Sequence, residues 1–221
     1  MSKNSDGRLY VYRGGQGEII EKKSRFIATV KPVKSEEEAV SFINETKKKY
    51  WDARHNCSAF VIGKRQELTR CSDDGEPAGT AGRPMLDVLL KEDIHDVAVV
   101  VTRYFGGVLL GTGGLVRAYQ QATKQGLLAS DIIEKQDGSI LLIRTDYTGI
   151  GKLQYLFAQE KITVIDTEYA ADVLVKAVIP EADRERIEKI ITEQTNGTAK
   201  QEWGDEVTFA EHDGEVLLFE E

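Results

Sequence analysis

The chain has 221 residues, 41% hydrophobic and 30% charged, enough apolar material for real cores and too much for a disordered chain. The net charge of −8 disfavours nucleic-acid binding by the whole protein, but it is uneven. Residues 1–136 carry 21 Lys/Arg against 18 Asp/Glu, a net of +3, and residues 137–221 carry 8 against 19, a net of −11, which suggests two bodies with different partners.

In chain order, 9–12 and 19–30 read as strands, with Gly14, Gly15 and Gly17 making the turn between them. Ser35-Glu36-Glu37-Glu38 is a capping-box pattern. It opens a helix with Ala39, Phe42, Ile43 and Thr46 on one face and Lys47–Lys49 near its end. Residues 56–63 alternate as a strand, and 66–71 pair back with it. Residues 72–84 form a loop rich in Asp, Gly and Pro. A short apolar helix covers 85–90. The β-branched run 97–104 is a buried strand. A glycine-dense turn follows, then a helix over 115–128. A charged, Gly-containing break at 135–139 coincides with the change of charge and sets the expected domains at 1–136 and 137–221. Beyond it, 139–147 is a strand, 151–160 a helix, 162–169 and 172–179 two strands, 181–194 a helix and 198–210 a strand. That order, βαββαβ, is the split βαβ of ferredoxin-like domains. No apolar run approaches the ~20 residues needed to cross a bilayer. The start lacks an apolar signal core, so the expected location is the cytosol.

Two clusters carry the candidate chemistry. In the second of them, Gly106, Gly107, Gly111, Gly113 and Gly114 lie between the buried strand and a helix start, flanked by Arg103 and Arg117. Free N–H groups and the positive end of the helix dipole favour an anion there. The spacing is neither a dinucleotide fingerprint nor a Walker A loop. The alternative is a tight turn that only permits close packing. The first cluster holds Arg54, His55, Cys57, Cys71, Asp73, Asp74, Glu76 and Arg83. Asp73, Asp74 and Glu76 suit Mg²⁺ or acid–base chemistry; the alternative is turn chemistry, with the acids capping the loop. Arg83 is a fork for phosphate or carboxylate. Two cysteines exclude a disulfide scaffold, and zinc-ribbon spacing is absent. A buried pair of small apolar cysteines is the expectation, with a Cys–His dyad the alternative. Lys47–Lys49 reads as a solvated helix end, and Trp51 as a hydrophobic anchor or a stacking surface for a base. His95 and His212 are isolated.

The segments Arg70–Pro84, RCSDDGEPAGTAGRP, and Arg103–Tyr119, RYFGGVLLGTGGLVRAY, resemble the signature segments of the IMPACT family in its bacterial, YigZ-type branch. Lys23-Ser24-Arg25-Phe26-Ile27-Ala28 resembles a third. The resemblance implies an α+β protein: a first domain of the ribosomal protein S5 domain 2-like fold, and a second similar to a ferredoxin-like domain of elongation factor G. That first fold serves many functions and does not fix one. Eukaryotic members of the family are translational regulators that bind the activator of the general-amino-acid-control kinase; bacteria lack that pathway. The resemblance implies no catalytic residue and no cofactor.

The resulting expectation is a non-enzymatic, translation-linked protein. It would bind RNA, the ribosome or a translation-associated protein, without DNA specificity, through Arg54, His55, Arg83, Arg103, Arg117 and the glycine-rich turn. A metal-assisted enzyme using Asp73, Asp74 or Glu76 with His55 is one alternative. A pure protein–protein adaptor is the other.

Overall fold

The computed structural model describes residues 7–219; the segment read as lacking a signal core begins in residues 1–6, outside them. The chain divides into two compact units, Arg8–Glu134 and the residues from Lys135 onward. The class is mixed α+β, with five α-helices and two sheets among the described residues.

The first unit comprises β1 (Arg8–Arg13), β2 (Gln16–Glu21), β3 (Ser24–Pro32), α1 (Glu36–Lys49), β4 (His55–Ile62), β5 (Leu68–Ser72), α2 (Gly82–Lys91), β6 (Ile94–His95), β7 (Val97–Tyr104) and α3 (Thr112–Leu128). Five strands form an antiparallel sheet in the order β2-β3-β7-β4-β5. Strand β7 is central, and its side chains alternate between two cores. Val97, Val99 and Val101 pack with Met85 and Leu89 of α2 and with Leu115 and Ala122 of α3. Ala98 and Val100 pack on the other face with Ala39 and Phe42 of α1. Burial on both faces explains the unbroken apolar run. Helix α1 starts as its sequence requires: Glu38 N–H donates to Ser35 Oγ at 3.3 Å, and the Glu38 carboxylate accepts from Lys34 N–H at 2.8 Å.

Several elements differ from expectation. The stretch 19–30 is not one strand but parts of two, β2 and β3, joined at Lys22-Lys23, both with positive φ, 45° and 67°. Nothing in Lys-Lys signals a two-residue hairpin, whose usual residues are Asn-Gly or Asp-Gly. Strand β1 does not pair with β2; it lies parallel to the two-residue β6. Helices α2 and α3 each begin three residues earlier than the sequence suggested.

The second unit contains most of β8 (Asp131–Thr145), then α4 (Ile150–Glu160), β9 (Thr163–Tyr169), β10 (Val173–Pro180), a 3-10 turn, α5 (Arg184–Gln194), β11 (Lys200–His212) and β12 (Glu215–Phe219). Four strands run antiparallel in the order β11-β8-β10-β9, with the unexpected β12 beside β11. Strands β8 and β9 point the same way with β10 between them, so the βαββαβ order is spatially split. Leu153, Leu156 and Phe157 of α4 and Ile187 and Ile191 of α5 cover Leu141, Ile143 and Val175 of the sheet. The break expected at 135–139 is not an interruption, because β8 runs through it. Gly138 pairs with Val207 on one side and Pro180 on the other. A Cβ there would stand 2.5 Å from the Ile179 carbonyl oxygen, so glycine serves close packing rather than a turn.

Candidate anion-binding end of the first unit

One end of the five-stranded sheet gathers most of the candidate residues. Register pairs Arg25 of β3 with Tyr104, and His55 of β4 with Arg103. The starts of β3 and β4 therefore meet the end of β7. Strand β5 also ends here and leads through a loop into α2, while β7 leads through the glycine-rich turn into α3. The N-termini of both helices lie at this end.

Beneath the surface is a polar network. The Arg103 side chain is 7% exposed and that of Glu76 3%, with Nη1 donating to Oε1 at 2.7 Å. The same oxygen accepts from the Tyr119 hydroxyl at 2.8 Å. Arg103 Nη2 donates to Ser24 Oγ at 3.4 Å, and that hydroxyl also accepts from Gly106 N–H at 3.2 Å. The guanidinium lies over the rings of Phe26 at 5.4 Å and Phe105 at 5.5 Å. Its Nε is buried with no hydrogen-bond partner. Ser24, Phe26 and Tyr119 lie in segments that carry the family resemblance, but sequence reasoning gave them no role at the site.

The three acids do not form a cluster. Asp73 Oδ1 accepts from Ala81 N–H at 3.0 Å and Gly82 N–H at 2.8 Å, and Oδ2 accepts from Gly79 N–H at 2.8 Å. Burial raises its pKa, the three N–H donors outweigh that, and the net is a lowered value. Asp74 accepts from Lys47 Nζ at 2.6 Å and Asn56 N–H at 2.7 Å. Glu76 holds Arg103. His55 Nδ1 lies 3.0 Å from the Asp74 carbonyl oxygen; a carbonyl only accepts, so Nδ1 carries the proton and Nε2 is the other face of the ring. Among the described residues no group of three His, Cys, Asp or Glu side chains is arranged to hold a metal ion.

The cysteines are not a buried pair. Cys57 is buried and Cys71 exposed, and Cys71 pairs with Ala59 in the ladder. Burial pushes the Cys57 thiol up to about 12, and the thiol donates to the Asp73 carbonyl at 2.9 Å. A thiol so hard to ionise is no nucleophile.

The outward-facing groups include cations, apolar side chains and the acids Asp52 and Asp87. Arg54, Arg83 and Arg117 are exposed. Arg83 Nε donates to Asp87 at 2.7 Å, and Asp87 and Arg117 line one groove between α2 and α3. Gly106 sits where a Cβ would stand 2.0 Å from the Lys23 carbonyl carbon. Gly107 and Gly111 have positive φ, 82° and 73°. Gly111 is the N-cap of α3 and supplies no side-chain cap. Gly113 and Gly114 lie in the first turn of α3, so its first N–H groups have neither a capping side chain nor an acidic first turn. Phe105, Val108 and Leu109 are exposed. Trp51 is not an anchor but 82% exposed, and the adjacent Asp52 accepts from the Tyr104 hydroxyl at 2.8 Å. Lys22 and Lys23 are exposed, and the Lys23 backbone lies against Gly106. His95 is elsewhere, on β6, buried against Tyr10 with ring centroids 5.4 Å apart.

The family model for the Impact N-terminal domain matches residues 22–127, and one described only as a domain of unknown function matches 143–198. The IMPACT family member YvyE of Bacillus subtilis (strain 168) is 40% identical over 201 residues, 91% of this chain and 92% of that protein. The IMPACT family member YigZ of Escherichia coli (strain K12) is 37% identical over 163 residues, 73% of this chain and 80% of that protein. Protein IMPACT-A of Xenopus tropicalis is 38% identical over 98 residues, 42% of this chain and 30% of that protein. A crystal structure titled as that of a hypothetical protein, 32% identical, covers 88% of this chain and 96% of its own with a TM-score of 0.57. With both parts matched and a relative of this similarity along nearly the full length, the chain belongs to the IMPACT family.

Proposed function

We propose that this chain is a non-enzymatic, cytosolic binding protein of the translation apparatus, and that the end of the first unit's sheet takes RNA phosphates, on the ribosome or free. The carrying observation is the direction of the charges. Asp73, Asp74 and Glu76 are each engaged by groups inside the protein. Arg54, Arg117 and the uncapped start of α3 face water at the same end. An anion there gains backbone hydrogen bonds and charge without displacing a carboxylate. The metal-assisted alternative is weakened, because Asp73, Asp74 and Glu76 are each held by other groups and the Cys57 thiol is hard to ionise. The translation link rests on the family and on its eukaryotic relatives. We read the first unit as S5 domain 2-like, supported by its α-on-sheet-on-α layering. The second reads as ferredoxin-like and similar to an elongation factor G domain, supported by its split βαβ strand order. A second reading, a protein adaptor, is favoured by the exposure of Val108 and Leu109, 42% and 81%.

The test is a titration of fluorescently labelled RNA against the full chain at several salt concentrations. Arg117→Ala is expected to weaken binding by about 1–3 kcal/mol. Gly113→Val should weaken it further. A Cβ at Gly113 comes no closer than 3.9 Å to Arg117 Nη1, so valine fits while covering the N–H groups. RNA binding falls steeply with salt; an adaptor's partner survives RNase. A folded Gly113→Val that binds RNA as well as the parent would make the turn purely structural.

A further inference from the structure

We propose that the RNA taken at this end is single-stranded, with Trp51 and Phe105 as platforms on which unpaired bases stack. This preference presupposes the RNA-binding reading of the first unit and adds the state of the strand.

A duplex hides the faces of its bases and offers phosphates and groove edges. A single strand offers the faces, and proteins that take it combine cations with exposed aromatic rings. Both are present here. Trp51 is 82% exposed, yet its position is held. Ala53 N–H donates to the Tyr50 carbonyl at 3.0 Å, closing the turn around it, and Asp52 is tied to Tyr104 at 2.8 Å. Phe105 follows Tyr104. The Arg103 guanidinium lies 5.5 Å from its ring centroid, and the residue remains 52% exposed. A base stacking on Phe105 would join a stack that the buried guanidinium already supports. Trp51 is therefore next to a residue held on Tyr104, the last residue of β7, and Phe105 is one residue beyond it.

The cations are interleaved with these rings. Arg54 lies three residues beyond Trp51 and is exposed. Lys22 and Lys23 form a hairpin turn in which both residues hold positive φ, a conformation that costs non-glycine residues free energy and that Asn-Gly would adopt more readily. The Lys23 backbone packs against Gly106 so closely that no Cβ fits between them. A strained turn thus presents two exposed lysines, with the Lys23 backbone against Gly106, the residue after Phe105. Asp52, beside Trp51, keeps its charge but is held on the Tyr104 hydroxyl, so the phosphates are left to Arg54, Lys22 and Lys23.

The experiment compares a labelled, unstructured ten-nucleotide RNA with a ten-base-pair RNA duplex, each titrated with the full chain. The parent is expected to bind the single strand about tenfold more tightly. Trp51→Ala and Phe105→Ala should each weaken single-strand binding by about tenfold, with duplex binding and the salt slope unchanged. Lys23→Gly, which keeps the backbone conformation and removes one charge, should lower the single-strand salt slope by about 0.7. Equal affinity of the parent for strand and duplex overturns the preference and leaves the RNA-binding reading standing. Trp51→Ala and Phe105→Ala proteins that bind the single strand like the parent also overturn it. A parent that binds neither RNA overturns the RNA-binding reading, and the preference falls with it.

Discussion

Asp73 orders a loop with one carboxylate. Its two oxygens accept from the N–H groups of Gly79, Ala81 and Gly82, so it both closes the loop and caps α2, whose N-cap Ala81 has no side chain for the purpose. Against partial burial, the three donors leave its pKa below the ordinary 3.8. A carboxyl more acidic in the folded than in the unfolded chain stabilises the fold fully above the unfolded value. That contribution is lost as pH falls through the lower folded value. Asp73→Asn is therefore expected to lose about 1–3 kcal/mol at neutral pH, because an amide nitrogen cannot accept from the Gly79 N–H. Its urea midpoint should also change less than the parent's between about pH 5 and pH 2. A variant with the parent's acid-limb slope would mean that other carboxyls carry the effect. Glu76 and Arg103 act differently. Each is nearly inaccessible, and each compensates a charge that would otherwise be buried alone, so the pair holds the loop to β7 rather than offering a ligand.

The glycine-rich turn joins an element that needs a conformation to an element that needs open space. Gly111 has φ 73°, and a β-branched residue there is strained by about 1–2 kcal/mol. Gly113 is helical, and a Cβ on it would have nothing but the tip of Arg117 within 4 Å. Gly111→Val should lower the thermal midpoint, while Gly113→Val should leave it unchanged or raise it, since valine is the better helix former. Equal losses at both would show that the turn and the helix start are strained together. This distinction was not legible in the sequence, where all five glycines look alike. What could be read was the element whose local signals agree with its packing: α1 from its Ser35–Glu38 cap, and β7 from a β-branched run buried on both faces. The β2–β3 hairpin was not legible because Lys22-Lys23 lacks turn residues. The early starts of α2 and α3 were masked by Gly82 and by Gly113-Gly114, which read as loop. At the site, the meeting of the 72–84 loop with the 103–114 turn was legible in outline, and Glu76–Arg103 joins them. The inward turn of Arg103 had a signal that composition conceals: at a period of two it shares the face of Val97, Val99 and Val101.

At the scale of the whole chain, β8 replaces a linker. It spans Asp131–Thr145, while the compact division falls between Glu134 and Lys135. A protease needs extended, unpaired backbone, and Lys135 sits within this strand. Trypsin acting on the native chain should therefore leave Lys135 uncut, even though charge and pattern both change there. Continuity of the strand does not merge the cores. The clusters of the first unit draw on residues between Val11 and Leu127, and that of the second on residues between Leu141 and Ala199, with no shared member. Cooperativity follows shared burial more than chain connection. We therefore propose two domains that unfold as separate units. The measurement is hydrogen exchange, read by mass spectrometry across a urea series, on peptides from β7 and β10. Each strand lies at the centre of its own core, so each reports one unit. Protection of Val97–Tyr104 and of Val173–Pro180 should be lost at different urea concentrations. The first unit should persist longer, because its central strand is buried against helices on both faces, whereas the helices of the second cover one face of its sheet. A single midpoint shared by both strands would mean one cooperative body, with β8 transmitting stability from one core to the other.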